Sequence, residues 1–202
     1  MTLTGKIKSH LVDSTAMVSI ATPMYAGLEH VVLGMSNTLS LHARELGFAM
    51  TYAGLSVLVA KGRDKYRKLL HITDKTRERT QQFYDALYLG AYTFAVTPPF
   101  YYIAGSRDIE QIIAGTIMQT IVGTVSGSIV GYTIDLYRDL AGVRKSARIP
   151  KIIQDKNSPF KMKLAIALTI GSLALTTAIY TLIPNRNTEK QNTPTQYIQK
   201  NK

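Results

Sequence analysis

Apolar residues gather along the chain into five stretches, at about 11–33, 41–60, 83–104, 112–134 and 162–183, separated by polar and charged segments. Each reaches the roughly 20 mainly apolar residues that a helix needs to cross a bilayer. The pattern predicts an all-α integral membrane protein. The fifth stretch is the cleanest: from Met162 it runs KLAIALTIGSLALTTAIYTLI, with no acid and only Lys163 near its start. The other four carry a few acids, bases, prolines and glycines. The first apolar run begins at Leu11, is too long for the core of a signal peptide and lacks an evident cleavage site, so it reads as the first transmembrane helix.

The first four stretches form two pairs that match at a nearly constant offset. Asp13 corresponds to Asp85, Gly34 to Gly105, and Asp64-Lys65-Tyr66-Arg67 to Asp135-Leu136-Tyr137-Arg138. Each unit has an even number of crossings, so the two halves point the same way and form a parallel repeat about an axis along the membrane normal. The expected organisation is a membrane domain over 1–141, with repeat one at about 10–70 and repeat two at about 82–141. A basic cytoplasmic linker (142–161), a fifth transmembrane helix (162–183) and a polar tail (184–202) follow. Two similar walls suit an internal pathway, which points to transport. A non-transporting scaffold that organises partners or lipids, and a passive channel, are the alternatives.

Charge sets the expected orientation. The net charge is +11, and it is concentrated. One stretch holds Lys61, Arg63, Lys65, Arg67, Lys68, Lys75, Arg77 and Arg79; another holds Arg138, Arg144, Lys145, Arg148, Lys151, Lys156 and Lys161. The turns between helices one and two and between three and four are nearly free of bases. Short basic loops stay on the cytoplasmic side, which places the N-terminus and both basic segments inside. Five crossings then put the tail outside a cell inner or plasma membrane. The bases read as topology signals and contacts to anionic lipid. No aromatic and basic platform accompanies them, so nucleic acid is not an expected partner.

Cysteine is absent, which removes disulfides, thiol nucleophiles and cysteine metal sites. No phosphate-binding loop, metal-ligand cluster or triad spacing is present, so neither an enzyme nor a cofactor is expected. His10, His30, His42 and His71 are scattered.

The candidate functional residues are those that are costly in a membrane. Ionisable groups there face protein or water and have partners. Glu29 and Arg44 flank the first outer turn at matched depth, roughly 10 Å of helix rise from it, and can offset each other's desolvation. Glu45 is a competing partner. Asp13 and Asp85 lie near the inner helix ends, where a cap or interfacial solvation is the plain explanation and a proton-coupling carboxylate the sharper one. Pro23, Pro98 and Pro99 interrupt helices one and three, either as kinks without further function or to free the carbonyls of Ser19, Phe94 and Ala95 for a substrate. Tyr25, Tyr101 and Tyr102 also fit an interfacial aromatic belt. Helix four carries Gly123, Gly127 and Gly131 at four-residue steps, a surface for close helix contact and a candidate homo-oligomer interface. Thr116, Thr120 and Thr124 form an adjacent polar row.

The stretches HLVDSTAMVSIATPMYAGLEHVVLGMS and ARELGFAM resemble the first half of the bacterial L-alanine exporter family. YDALYLGAYTFAVTPPFYYIAGSRDIEQIIAG and GSIVGYTIDLYRDL resemble its second half. The resemblance covers about residues 10–141. It implies a small inner-membrane protein that exports L-alanine or a similar small amino acid, in exchange for protons. The family's intramembrane charges correspond to Glu29, Arg44 and Asp85, its opening motif to His10 and Asp13, and its self-assembly glycines to Gly127 and Gly131. The chain departs from the family in the segment after about residue 142, in a shifted 61–82 loop, and in the double proline at Pro98-Pro99.

Overall fold

The structure, a computed structural model, describes residues 2–73 and 76–183, and all regular structure among them is helical. Helix α1, Leu3–Gly27, is prolonged by a π turn over Leu28–Val32. The Thr2 side chain caps its start by accepting from the Gly5 N–H. After a short turn come α2, Asn37–Met50, and α3, Ser56–Leu69, joined through a second π turn at Thr51–Leu55. Within that turn Gly54 has φ +135°, a conformation that side chains disfavour. The single helix expected over 41–60 is therefore two pieces of 14 residues each.

Helix α4 is Glu78–Ile103. Helix α5, Ile109–Leu140, starts at Asp108, whose carboxylate accepts from the N–H groups of Glu110 and Gln111. A one-turn α6, Lys151–Gln154, precedes α7, Ser158–Leu182. The tail expected from 184 lies outside the described residues.

Side-chain partners give the directions of the rods. Gly115, Gly123 and Gly127 of α5 meet Tyr101, Thr93 and Ala86 of α4, so these two run antiparallel. Ser14 of α1 bonds to Ser56 while Glu29 bonds to Arg44, so the α2–α3 rod returns along α1. Ser19 and Gly27 of α1 meet Thr169 and Ile179 of α7, so those two are parallel. One end of the bundle thus holds the starts of α1, α4 and α7. The opposite end, about 24 Å along α1 from Asp13, holds Glu29.

Among the described residues two helices, α5 and α7, are long and apolar enough to cross a membrane. The others fall short for visible reasons. α2 and α3 are divided at Gly54, and α1 and α4 turn polar residues inward, among them Ser14, Ser19, Gln81, Asp85 and Thr97. The apolar core at the Asp13 end joins Ala16, Val59, Leu89, Val130, Ile134 and Leu140. A second core at the Glu29 end joins Met35, Ala43, Phe100 and Tyr101.

Several expectations are corrected. The segment 61–69, assigned to a cytoplasmic loop, continues α3, and its Arg63 and Arg67 are buried. The linker 142–161 is not free: it contains α6, buries Ser146 and Ile149, and ends inside α7. The glycine row assigned to contacts between subunits is covered by α4 of the same chain. An ideal Cβ on Gly127 would stand 2.6 Å from the Ala86 Cα, and one on Gly131 2.5 Å from an Asp85 carboxylate oxygen. α5 turns Ile113, Ile117, Ile121, Val125 and Ile129 outward instead.

Candidate functional site

At one end of the bundle the first π turn shapes a buried charge cluster. The turn leaves the adjacent side chains of Glu29 and His30 both enclosed, at 0% and 1% exposure. Such π bulges recur at functional sites because they re-aim neighbouring residues. Glu29 Oε2 accepts from Ser40 Oγ at 2.9 Å and Arg44 Nε at 3.2 Å. Oε1 accepts from Arg44 Nη2, from Tyr101 Oη at 3.0 Å and from Gln119 Nε2 at 3.1 Å. Arg44 thus grips Glu29 with two nitrogens, the strong bidentate geometry of guanidinium and carboxylate. Its Nη1 makes no hydrogen bond among the described residues, and its guanidinium carbon sits 5.3 Å from the centre of the Tyr25 ring. Glu45 is exposed, so Arg44 pairs inward.

Beneath this cluster lies a cavity of ≈ 120 Å³ between α1, the α2–α3 rod, α4 and α5. A single water needs only about 10–15 Å³ by such a measure, so a small solute has room. Its walls are mainly apolar, with Met17, Val96 and Phe100 among them. Arg44, Gln119 and the Tyr25 and Tyr92 hydroxyl-bearing rings supply polarity. The Tyr92 hydroxyl is buried without a hydrogen-bond partner among the described residues, a free polar contact for a guest. Val59, Leu89 and Val130 line the cavity and also belong to the apolar core beyond it, on the Asp13 side.

Beyond that core the end is closed by crosswise ion pairs. Arg67 of α3 holds Asp85 of α4, through Nε at 2.7 Å and through Nη2. Arg138 of α5 holds Asp13 of α1, through Nε at 2.6 Å and Nη2 at 2.8 Å. Arginines and aspartates that match at the sequence offset pair crosswise through the same atoms, Nε with Oδ1 and Nη2 with Oδ2. Around them Arg63 donates to the Gly131 carbonyl at 3.0 Å, and Asp135 receives Arg63, Arg144 and Arg148. Arg148 also binds Glu78, and Lys161 binds Asp139 at 2.7 Å. Burial works against the Arg148 charge, but Glu78 and Asp135 outweigh it and raise its pKa above the ordinary guanidinium value.

The four charged candidates therefore fall into two separate places, Glu29 with Arg44 at one end and Asp13 with Asp85 at the other. Asp13 and Asp85 are not helix caps: they lie inside α1 and α4, 5% and 2% exposed, and paired with arginine. The prolines do not open the helices. α1 and α4 run unbroken through Pro23, Pro98 and Pro99, and none of the three lines the cavity. Phe94 and Ala95, whose carbonyls proline frees, are exposed on the outer side of α4.

Sequence reasoning missed Ser40, Gln119 and Tyr180. The Tyr180 hydroxyl of α7 lies 2.7 Å from Ser40 Oγ. The His30 ring meets Tyr180 edge-on and bonds through Nε2 to the Ile183 carbonyl at 2.8 Å. Ser, Gln and Tyr are ordinary in such helices, and only their convergence on Glu29 distinguishes them. No grouping of His, Cys, Asp and Glu among the described residues is arranged to hold a metal ion. No family model, curated protein or solved structure matches the chain.

Proposed function

We propose that the protein is a five-crossing membrane transporter that exports a small zwitterionic amino acid such as L-alanine, in exchange for protons. The observation that carries this reading is the cavity lined by Arg44, whose guanidinium is paired on its other side with the buried Glu29. An amino acid presents a carboxylate and an ammonium a few ångströms apart, and a carboxylate–guanidinium pair is its electrostatic complement. The carboxylate docks on Arg44, beginning with the open Nη1. The ammonium displaces Arg44 from Glu29. Walls of Met, Val and Phe admit a short apolar side chain, and the Tyr92 hydroxyl offers a further contact.

The crosswise pairs act as the inner gate. They link the two repeats only where α1, α3, α4 and α5 meet at the Asp13 end, so parting them separates the repeats there. Alternating access by rocking of one repeat against the other uses this kind of seam. The basic segments support a cytoplasmic position for that end, and the likeness of residues 10–141 to the alanine exporters supports the substrate class.

The test is counterflow of labelled L-alanine in liposomes holding the purified protein, repeated with a panel of other amino acids. Saturable exchange is expected with small neutral amino acids, and Arg44→Gln and Glu29→Gln abolish it while the protein remains folded. A passive channel instead gives flux without saturation or stimulation by unlabelled substrate inside. Absence of flux for the whole panel rejects transport in favour of a scaffold.

A further inference from the structure

We infer that Tyr180 and Ser40 are the proton entry to Glu29 from the outer side, which makes α7 part of the coupling machinery of the transporter proposed above; the inference rests on that reading. Each hydroxyl has one proton to donate. Ser40 spends its proton on the Glu29 carboxylate, which is acceptor-only, at 2.9 Å. In the 2.7 Å contact between Ser40 and Tyr180, Tyr180 must therefore be the donor. The chain is directional: Tyr180 to Ser40 to Glu29.

The other groups around Glu29 do not serve as an entry. Arg44 has no lone pair to accept a proton and does not lose one in proteins. Gln119 is an amide. Tyr101 is fully buried, and its hydroxyl meets Gln119 as well as Glu29, so it leads inward. Tyr25 lies under the Arg44 guanidinium, on the cavity side. His30 is 1% exposed and bonds to the Ile183 carbonyl rather than to Glu29. Its edge contact with Tyr180 holds that ring in place. Tyr180 itself is half-buried and sits in the last turn of α7. Among the described residues it is the hydroxyl that joins the buried carboxylate to the outer surface.

The transfer balances as a relay. A hydronium ion outside gives a proton to Tyr180 Oη as the tyrosine proton passes to Ser40 Oγ and the serine proton to Glu29 Oε2. One water and one carboxylic acid result, and both hydroxyls are restored. A proton on Glu29 competes with the substrate ammonium for the same carboxylate, and that competition is the requirement for antiport.

The experiment uses the full chain in liposomes with labelled L-alanine and two readouts: counterflow at equal pH, and accumulation driven by a pH gradient. Tyr180→Phe keeps the ring and removes the hydroxyl. It is expected to leave counterflow within about twofold and to cut gradient-driven accumulation by about a hundredfold, the lower end of what a positioned proton-transfer group contributes. Ser40→Ala, which also removes a donor from Glu29, is expected to lower both readouts, and Ser40→Thr, which keeps a hydroxyl, to retain coupling. Gradient-driven accumulation by Tyr180→Phe equal to that of the unaltered protein overturns the relay. Equal loss of both readouts in Tyr180→Phe and in Ser40→Thr assigns α7 a purely structural role and overturns it too. Absence of counterflow in the unaltered protein removes the transport reading, and the relay with it.

Discussion

Asp13 and Asp85 match at a nearly constant sequence offset, as do Arg67 and Arg138, yet Arg67 binds Asp85 and Arg138 binds Asp13. Removing one member of a buried pair leaves an uncompensated charge and costs about 3–5 kcal/mol. Asp13→Arg and Arg138→Asp should each destabilise the protein on that scale, read as a fall in thermal midpoint in detergent. Combined, they should recover most of the loss, because the pair re-forms with reversed polarity. The control Asp13→Arg with Arg67→Asp joins two residues of the same repeat and should recover nothing. Rescue by the control instead would mean that the pairs lie within repeats. Both aspartates stand out in the sequence as acids within apolar stretches. The crosswise pairing does not, because a linear list of charges does not say which arginines turn inward. For the same reason Arg63, Arg67, Arg138 and Arg148 read as topology signals, although the first three are buried and all four are paired with acids.

The α4–α5 pair depends on glycine at one contact in particular. A Cβ on Gly127 would meet the Ala86 Cα at 2.6 Å and the Asp85 carbonyl oxygen at 2.9 Å, both backbone atoms that cannot rotate away. Gly171 of α7 has nothing within 4 Å of the same position. Gly127→Ala should therefore cost about 1–3 kcal/mol through overpacking, whereas Gly171→Ala should gain up to about 1 kcal/mol from helix propensity. Unfolding of both variants in the same detergent checks the contrast; equal effects would deny the close approach. The four-residue spacing announced a tight helix contact but could not name the partner, since α4 and a second copy would present the same small residues. Proline misled in another way. It removes one backbone bond without ending a helix when neighbouring turns and packing hold the rod, and α4 continues through two of them.

For the whole molecule, the decisive question is how many rods cross the membrane. Five apolar stretches and the five rods among the described residues agree in number, but of those rods only α5 and α7 are apolar enough by composition, and polar inward faces weaken the signal in the others. A helix lining a cavity or a gate needs those polar residues, so a site inside the bundle weakens the hydropathy of its own walls. The absence of cysteine allows a direct test, because each introduced thiol reports alone. Thr38, Lys68, Arg107 and Lys151 are all exposed and lie in or beside successive turns between rods. If all five rods cross with the basic segments inside, a membrane-impermeant maleimide should label Thr38→Cys and Arg107→Cys in intact cells, and Lys68→Cys and Lys151→Cys only after permeabilisation. If α5 and α7 alone cross, positions 38, 68 and 107 share one side and must label alike, with 151 opposite. The alternation of Thr38 and Lys68 therefore separates a closed five-helix pathway from a helical bundle anchored by two of its members.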